Sequence, residues 1–302
     1  MKRHRLRIAG SISTALLTLF LAGQALAGDL VGQPTDGAIY FQPGVTDLRQ
    51  KAEDFHTWIL LPVCVGISAL VLGLMLWCML RYNARANPTP ARFTHNTTVE
   101  VLWTVGPVLI LLTIAIFSFR LLFDYHAMPK PDMTVKVTGY QWYWGYAYPD
   151  QKLDEETSEM LTPDQAKAKG VPYMLATTQP MMAPVGKVVH VLVTGADVIH
   201  SFSVPAFGIK IDAVPGRVND TWFKAKQTGT FYGQCSQLCG EDHSFMPIEV
   251  KVVSQADFDA WVKSKQPAAA KAATPATNSA APTASEAPIA TATPAGAVPA
   301  KS

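Results

Sequence analysis

The chain is short of charge. Only 16% of its 302 residues are Asp, Glu, Lys or Arg, against about 25% in soluble globular domains, and that shortfall argues against a wholly soluble protein. Four cysteines are too few to staple a chain of this length with disulfides. No C-x-x-C-H occurs, so no covalent haem attachment can be placed. No basic cluster follows the first seven residues and the formal net charge is only +2, which leaves nucleic-acid binding without an electrostatic footprint. Residues 266–302 have no aromatic side chain and are almost entirely Ala, Pro, Thr and Ser. Such a segment cannot bury enough apolar surface to offset its chain entropy, and is expected to be a disordered or polyproline-II-like tether.

Charge is absent where long apolar runs stand. No Asp, Glu, Lys or Arg lies between Phe55 and Leu80, or between Val101 and Phe119. As helices these reach roughly 39 and 28 Å, enough to cross a hydrocarbon core of about 30 Å. We expect transmembrane helices over 55–81 and 99–122. Residues 1–27 carry Lys2, Arg3, Arg5 and Arg7, then an apolar stretch, then Ala25-Leu26-Ala27, the form of a cleaved secretory leader. Its removal takes away four basic residues and no acids. Between the two runs Arg81, Arg85 and Arg92 face only Glu100, whereas the segment 28–54 is acidic, so the positive-inside rule makes the linker 82–98 cytoplasmic. Both ends of the mature chain are then external.

After the second run the hydrophobic period changes. Met133 to Thr138, Val188 to Thr194 and Ile248 to Val253 alternate as strands, with Pro-Gly and Thr-Gly turns between them. The region 124–265 is therefore expected to be an all-β, antiparallel sandwich or barrel. Leu153 to Gly170, rich in Glu and Lys, reads as a polar surface insertion.

The chemistry concentrates in Gly233-Gln-Cys235-Ser-Gln-Leu-Cys239-Gly-Glu-Asp-His243-Ser-Phe-Met246. A disulfide would leave His243 and Met246 unexplained, and a thioether is a poor zinc ligand. Thiolate, imidazole and a weak axial thioether are the soft donor set of copper electron-transfer sites. One cysteine more than a mononuclear blue-copper site needs allows two sulfurs to bridge two ions, each wanting its own imidazole. The second histidine is expected to be His200, at a turn in Asp197-Val-Ile-His200-Ser-Phe. His190 sits mid-strand, and His56, His95 and His126 lie at the ends of the membrane runs. Cys64 and Cys78, inside the first run, read as packing residues.

The Cys-x3-Cys-x3-His-x2-Met run, the upstream His-Ser-Phe, the Gly139-Tyr-Gln-Trp-Tyr-Trp144 strand and the paired apolar helices resemble subunit II of haem–copper cytochrome c oxidase of bacterial type. The resemblance covers roughly Asp47 to Lys265. It implies a transmembrane hairpin plus a Greek-key cupredoxin domain carrying the dinuclear copper centre CuA. The ligands would be His200, Cys235, Cys239, His243 and Met246, with the main-chain carbonyl of Gln237. It also implies cytochrome c as donor, haem-bearing subunit I as acceptor, subunit III and lipid as further partners, and a bacterial inner membrane with the copper domain on the periplasmic side. Gln237 replaces the commoner glutamate that also binds magnesium at the subunit I boundary. Its amide keeps an oxygen but loses the charge that hard cations prefer.

By the same resemblance Trp142 is where electrons arrive, although Trp142, Trp144, Tyr146 and Tyr148 alternate as a core face would. Asp197 and Asp212 match acidic docking positions. Ala147 replaces an acid common at that place, which shifts the expected patch toward Asp154, Glu155 and Glu156. Thr97-Thr-Val-Glu100 reads as a capping box at a helix start, and its Glu100 also resembles the acid at the cytoplasmic mouth of a proton channel in subunit I. The rivals are a quinol oxidase subunit, which lacks the cysteine pair, a nitrous-oxide or nitric-oxide reductase with the same copper motif, and a membrane-anchored copper carrier. The carrier would need an open site.

Overall fold

The computed structural model describes residues 31–266 apart from 36 and 90. The expected leader and all but the first residue of the expected tail lie outside that range. Two long helices come first, α1 (Asp47–Arg81) and α2 (Thr97–His126). Both exceed the apolar runs that announced them, because polar caps lie beyond the runs. Thr46 caps α1 by accepting from the Arg49 N–H at 3.1 Å, and Asn96 caps α2 by accepting from Val99 N–H at 3.2 Å. The capping residue of α2 is thus Asn96 rather than Thr97, and Glu100 reaches back to the Asn96 N–H at 3.3 Å. Residues His56–Leu60 of α1 widen into a π-turn. Pro62 follows at once, and its ring would clash with the carbonyl four residues back in a regular α-turn.

Along their apolar lengths neither helix buries anything within the chain. Leu70, Leu72, Met75, Leu102, Leu111 and Ile116 are all exposed. A helix apolar on every face needs an apolar solvent or partner, which agrees with a membrane hairpin. The outer ends are tied: Lys51 Nζ of α1 meets Asp124 Oδ2 of α2 at 2.9 Å.

Ten strands follow: β1 (Met133–Tyr140), β2 (Tyr143–Tyr148), β3 (Leu153–Ser158), β4 (Met181–Pro184), β5 (Val189–Gly195), β6 (His200–Val204), β7 (Ile209–Ala213), β8 (Asn219–Phe223), β9 (Gly229–Gln234) and β10 (Pro247–Val253). One sheet has the order β3-β2-β1-β5-β8, a second β4-β10-β9, and β6-β7 form a hairpin. The helices α3 (Pro163–Lys169) and α4 (Gln255–Lys265) complete the domain.

The sheets are mixed, not purely antiparallel: β1 pairs parallel to β5 and β4 parallel to β10. Strand periodicity is blind to direction. Parallel neighbours need a long crossover, and here the chain passes through β2, β3, α3 and β4 between β1 and β5.

Alternation places Val135, Val137, Val189, Val191 and Val193 inward, where Trp144, Phe202, Phe207, Phe223 and Phe231 fill the interior between the sheets. Trp144 packs edge-on against Phe202 with ring centroids 5.5 Å apart, and its Nε1–H donates to the Met246 carbonyl at 3.2 Å. The core therefore reaches directly under the metal-ligand loop.

Two sequence expectations change here. Leu153 to Ser158 is the edge strand β3 paired with β2, not part of an insertion; only α3 and its flanks are added, closed by a capping box between Thr162 and Gln165. Gly139 to Trp144 is not one strand but a hairpin, with Gln141-Trp142 as its turn and Tyr140 opposite Tyr143. An aromatic-rich run hides a turn at Gln141-Trp142 that lacks Gly, Pro, Asn and Asp.

The domain is bound to the helices by specific contacts. Thr46 Oγ1 donates to the Phe207 carbonyl at 2.6 Å while capping α1. Tyr125 at the end of α2 donates its hydroxyl to the Gly208 carbonyl at 2.7 Å, and Trp222 Nε1–H donates to the Tyr125 carbonyl at 2.9 Å. Buried Arg49 donates to the Gln42 carbonyl and lies over the Phe41 ring.

Candidate metal centre

Strands β9 and β10 are antiparallel, with Gln234 opposite Pro247. The ligand loop therefore leaves and rejoins the sheet at adjacent points, with Cys235 just past one strand and Met246 just before the other. The Ser236 N–H donates to the Ser201 carbonyl at 3.0 Å, which pins the loop to β6, whose first residue is His200. Glycine makes these approaches possible. A Cβ on Gly233 would run into the Ser203 carbonyl, and one on Gly139 would meet the His200 side chain at 2.9 to 3.1 Å.

The side chains converge as the motif requires. Cys235 Sγ and Cys239 Sγ lie 3.9 Å apart, nearly twice a disulfide bond of about 2.05 Å. Cys239 Sγ is 3.5 Å from His243 Nδ1 and 3.5 Å from Met246 Sδ. The Gln237 carbonyl accepts from the Cys235 thiol at 3.3 Å. The donor atoms of His200, Cys235 and Cys239 all lie within 4.8 Å of one another. Cys235, Cys239, Met246 and His200 are buried, and His243 closes the outer side half-buried.

His200 shows what this cluster is built for. Its Nε2 is 2.9 Å from Asp197 Oδ1, whereas its buried Nδ1 has no hydrogen-bond partner. A fully buried imidazole nitrogen without a partner is costly, and a carboxylate on the other nitrogen is the usual support of a metal-binding histidine. The donor set is soft, sulfur-rich and closed, and it fits copper.

Electrostatics within the cluster are those of a coupled thiol pair. Burial pushes the Cys235 thiol up, but the nearby His200 imidazole and main-chain groups outweigh it and bring it down to about 6. Burial and the neighbouring Cys235 charge push Cys239 up to about 12. Burial lowers His200, but the contacts with Cys235 and Asp197 raise it overall. One proton therefore leaves readily and the second with difficulty until a cation supplies the missing positive charge.

The remaining candidates fall in several places. Trp142 sits half-buried at the hairpin turn, and its Nε1–H donates to the Cys239 carbonyl at 3.3 Å. Trp144, Tyr146 and Tyr148 form the buried face of β2, so Trp142 leaves their alternation at the turn. Asp197 is engaged inward, by His200 Nε2, by the Val198 N–H at 2.6 Å and by the Gln141 N–H at 2.7 Å. Burial raises its carboxyl, yet these hydrogen bonds bring it below the usual carboxylate range. Asp212 is exposed on β7.

Of the acids on β3, Glu155 accepts from Thr138 at 2.7 Å and Tyr140 at 2.6 Å, and Glu156 is held by Lys265 at 2.7 Å. Only Asp154 of that trio is without such a partner among the described residues. Glu100 stands in the first turn of α2, on a different part of the chain from the metal cluster. His190 lies mid-strand, 3.4 Å from Asp220. Cys64 and Cys78 are exposed on α1. Sequence reading missed Gln141, whose side-chain Nε2 donates to the Cys239 carbonyl at 2.9 Å; its one outward sign was its place beside Trp142.

Two family models match the chain, cytochrome c oxidase subunit II, periplasmic domain, over residues 133–253, and its transmembrane domain over residues 34–121. The chain is 44% identical to a probable cytochrome c oxidase subunit 2 of Rickettsia bellii over 243 residues, covering 79% of this chain and 88% of that protein. It is 40% identical to cytochrome c oxidase subunit 2 of Cereibacter sphaeroides over 280 residues, covering 86% and 92%. Among solved structures, the periplasmic domain of subunit II of cytochrome oxidase from Bradyrhizobium japonicum is 55% identical, covering 46% of this chain and 96% of that one, with a TM-score of 0.43.

Proposed function

The chain belongs to the cytochrome c oxidase subunit II family, and on that premise we propose how its own residues serve electron transfer. It is a membrane subunit of a haem–copper oxidase, an oxidoreductase complex, works with subunit I and carries a copper centre. The finer reading is that cytochrome c delivers one electron at a time near Trp142, and that the electron passes through a two-copper centre to the haem of subunit I, where oxygen is reduced with proton pumping. Bound there, copper supplies reversible one-electron chemistry.

The observation that carries this reading is the pair of buried sulfurs 3.9 Å apart beside a buried imidazole nitrogen with no other partner. Cys235 and Cys239 would supply the thiolates that hold copper here. His200 would then serve one ion and His243 the other, with Met246 and the Gln237 carbonyl completing the two coordination shells. His200, Cys235 and Met246 stand at or beside strand ends and the loop between them is pinned to β6, so a change of charge moves the donors little, as rapid transfer requires. Trp142 is half-buried and donates to the main chain of Cys239, which supports it as the point of electron entry.

Exposed Asp212, with Glu241 and Asp242 beside His243, supplies an acidic rim for a basic cytochrome c; Asp197 adds charge to it from a more enclosed position. The copper domain is assigned to the periplasmic side of a bacterial inner membrane, after removal of the leader 1–27, with subunit III and lipid as further neighbours. Magnesium at Gln237 would have to bind through a neutral amide oxygen, and is expected to be weak. Glu100 is assigned the mouth of a proton path. Glu100→Gln keeps an acceptor for the Asn96 N–H, so slowed turnover with unchanged copper separates that role from capping, and normal turnover leaves capping alone.

Metal analysis with electron paramagnetic resonance of the purified full chain tests the centre. Two coppers and a delocalised mixed-valence signal are expected, whereas one copper, or zinc, sinks the reading. Trp142→Phe should slow oxidation of cytochrome c with the copper spectrum intact; an unchanged rate removes Trp142 from the path.

A further inference from the structure

We propose that Gln141 is a positioning residue for electron transfer, clamping the Trp142 hairpin to both halves of the copper site. The inference rests on the copper reading above and adds a role for a residue that neither coordinates metal nor receives the electron.

Gln141 is solvent-exposed, and a surface glutamine ordinarily keeps its rotamer freedom. Here both of its nitrogen donors are committed to the metal site. Its main-chain N–H donates to Asp197 Oδ2 at 2.7 Å, and the other oxygen of that carboxylate holds His200 Nε2 at 2.9 Å. Its side-chain amide donates to the carbonyl of Cys239 at 2.9 Å. One residue thus touches, through a single carboxylate, the support of one ligand and, directly, the peptide of another.

The Cys239 carbonyl has two lone pairs, and the Trp142 indole N–H takes the second at 3.3 Å. The glutamine bond is the shorter of the two and fixes the oxygen that the indole must reach. From that oxygen a path of covalent bonds, C–Cα–Cβ–Sγ, leads to the sulfur. The ring also needs room: a Cβ on Gly240, whose φ is +128°, would lie 2.9 Å from Trp142 and 3.1 Å from Gln141 Nε2. The loop therefore presents a bare backbone edge onto which the glutamine and the indole fold together. Trp142 is only half-buried, so packing alone does not settle its distance from the site.

A docking residue and a positioning residue on this surface differ in what they change. Losing a docking contact raises KM and alters the salt dependence of the reaction with cytochrome c. Loosening the clamp leaves binding unaltered and lowers the rate within the bound complex, because transfer depends on geometry already set.

The test uses the intact oxidase with Gln141→Leu, which removes the side-chain amide donor to Cys239 and leaves the main-chain N–H to Asp197 in place, and reduced cytochrome c as the probe. The expected result is a limiting transfer rate about tenfold lower, with backbone-amide exchange across residues 139–143 about tenfold faster, the factor that loss of one hydrogen bond of ordinary strength carries. KM, its salt dependence and the copper signal should stay as in the parent. Asp197→Asn is the second variant; it weakens the same hairpin and the His200 support together, so it should reproduce the faster exchange and in addition disturb the copper signal. If Gln141→Leu changes only KM and salt dependence, or changes neither rate nor exchange, the clamp is wrong while the copper reading stands. If the parent oxidase itself shows no two-copper signal, the copper reading falls and takes this inference with it.

Discussion

The helical hairpin and the β domain solve burial in opposite ways. On α1 and α2 apolar side chains such as Leu72 and Leu111 stay 59% and 64% exposed within the chain, so whatever covers them lies outside this chain. In the β domain Phe202, Trp144 and Val135 are wholly buried, and the domain makes its own interior. The difference shows in what each can specify. A helix facing lipid needs apolar character and length, and many residues satisfy it. A close-packed core places its neighbours to a fraction of an ångström, which is what a closed set of ligands requires.

That contrast can be broken by experiment. The largest expected effect is on the core: Phe202→Ala should cost about 3–5 kcal/mol of stability, read as a lowered unfolding midpoint, with copper lost because Phe202 lies two residues from His200 and against Trp144. A loss below 1 kcal/mol would mean the interior is looser than its burial indicates.

Next comes the dependence of copper loading on pH. Metal binding requires thiolates and a neutral imidazole. Between about pH 6 and 12 the Cys239 proton has to leave, so affinity should fall at least about tenfold per unit as pH drops. Below about pH 6, where Cys235 is protonated too, the fall should steepen. Competition titrations against a chelator at several pH values would measure this, and a pH-independent affinity would refute the thiolate assignment.

The smallest effect is expected on the hairpin. Leu72→Ala in the separated chain should change stability by no more than about 0.5 kcal/mol, since it makes no packed contact there. The same substitution in the assembled oxidase sharpens the comparison: a much larger loss there marks a face covered by subunit I, and an equally small one marks a face covered by lipid.

How much was legible in advance follows the same division. The two spans and their order came from uncharged runs, because an apolar membrane interior imposes a one-dimensional rule, while the arginines in one linker gave only an expected orientation. Helix ends were less legible: α1 starts at Asp47 and α2 at Thr97, where caps and not hydropathy decide. The cluster of soft side chains was legible because such donors at close spacing are rare, and His200 because it stood at a turn; the structure brings it together with Cys235 and Cys239. Asp197 was expected at the docking surface, and its carboxylate turns out to be held by His200, Val198 and Gln141.

By itself the sequence determined the class of solvent for each segment, the change from helical to strand period, and the chemical softness of the site. These are properties of residue type and spacing. Only the tertiary structure decided that β1 lies parallel to β5, that Gly139-to-Trp144 bends back on itself, that Glu155 is spent on Thr138 and Tyr140, and that Gln141 reaches Cys239 across 98 positions of chain. Such facts depend on which distant backbones come within hydrogen-bonding reach, and that is a property of the packed chain as a whole.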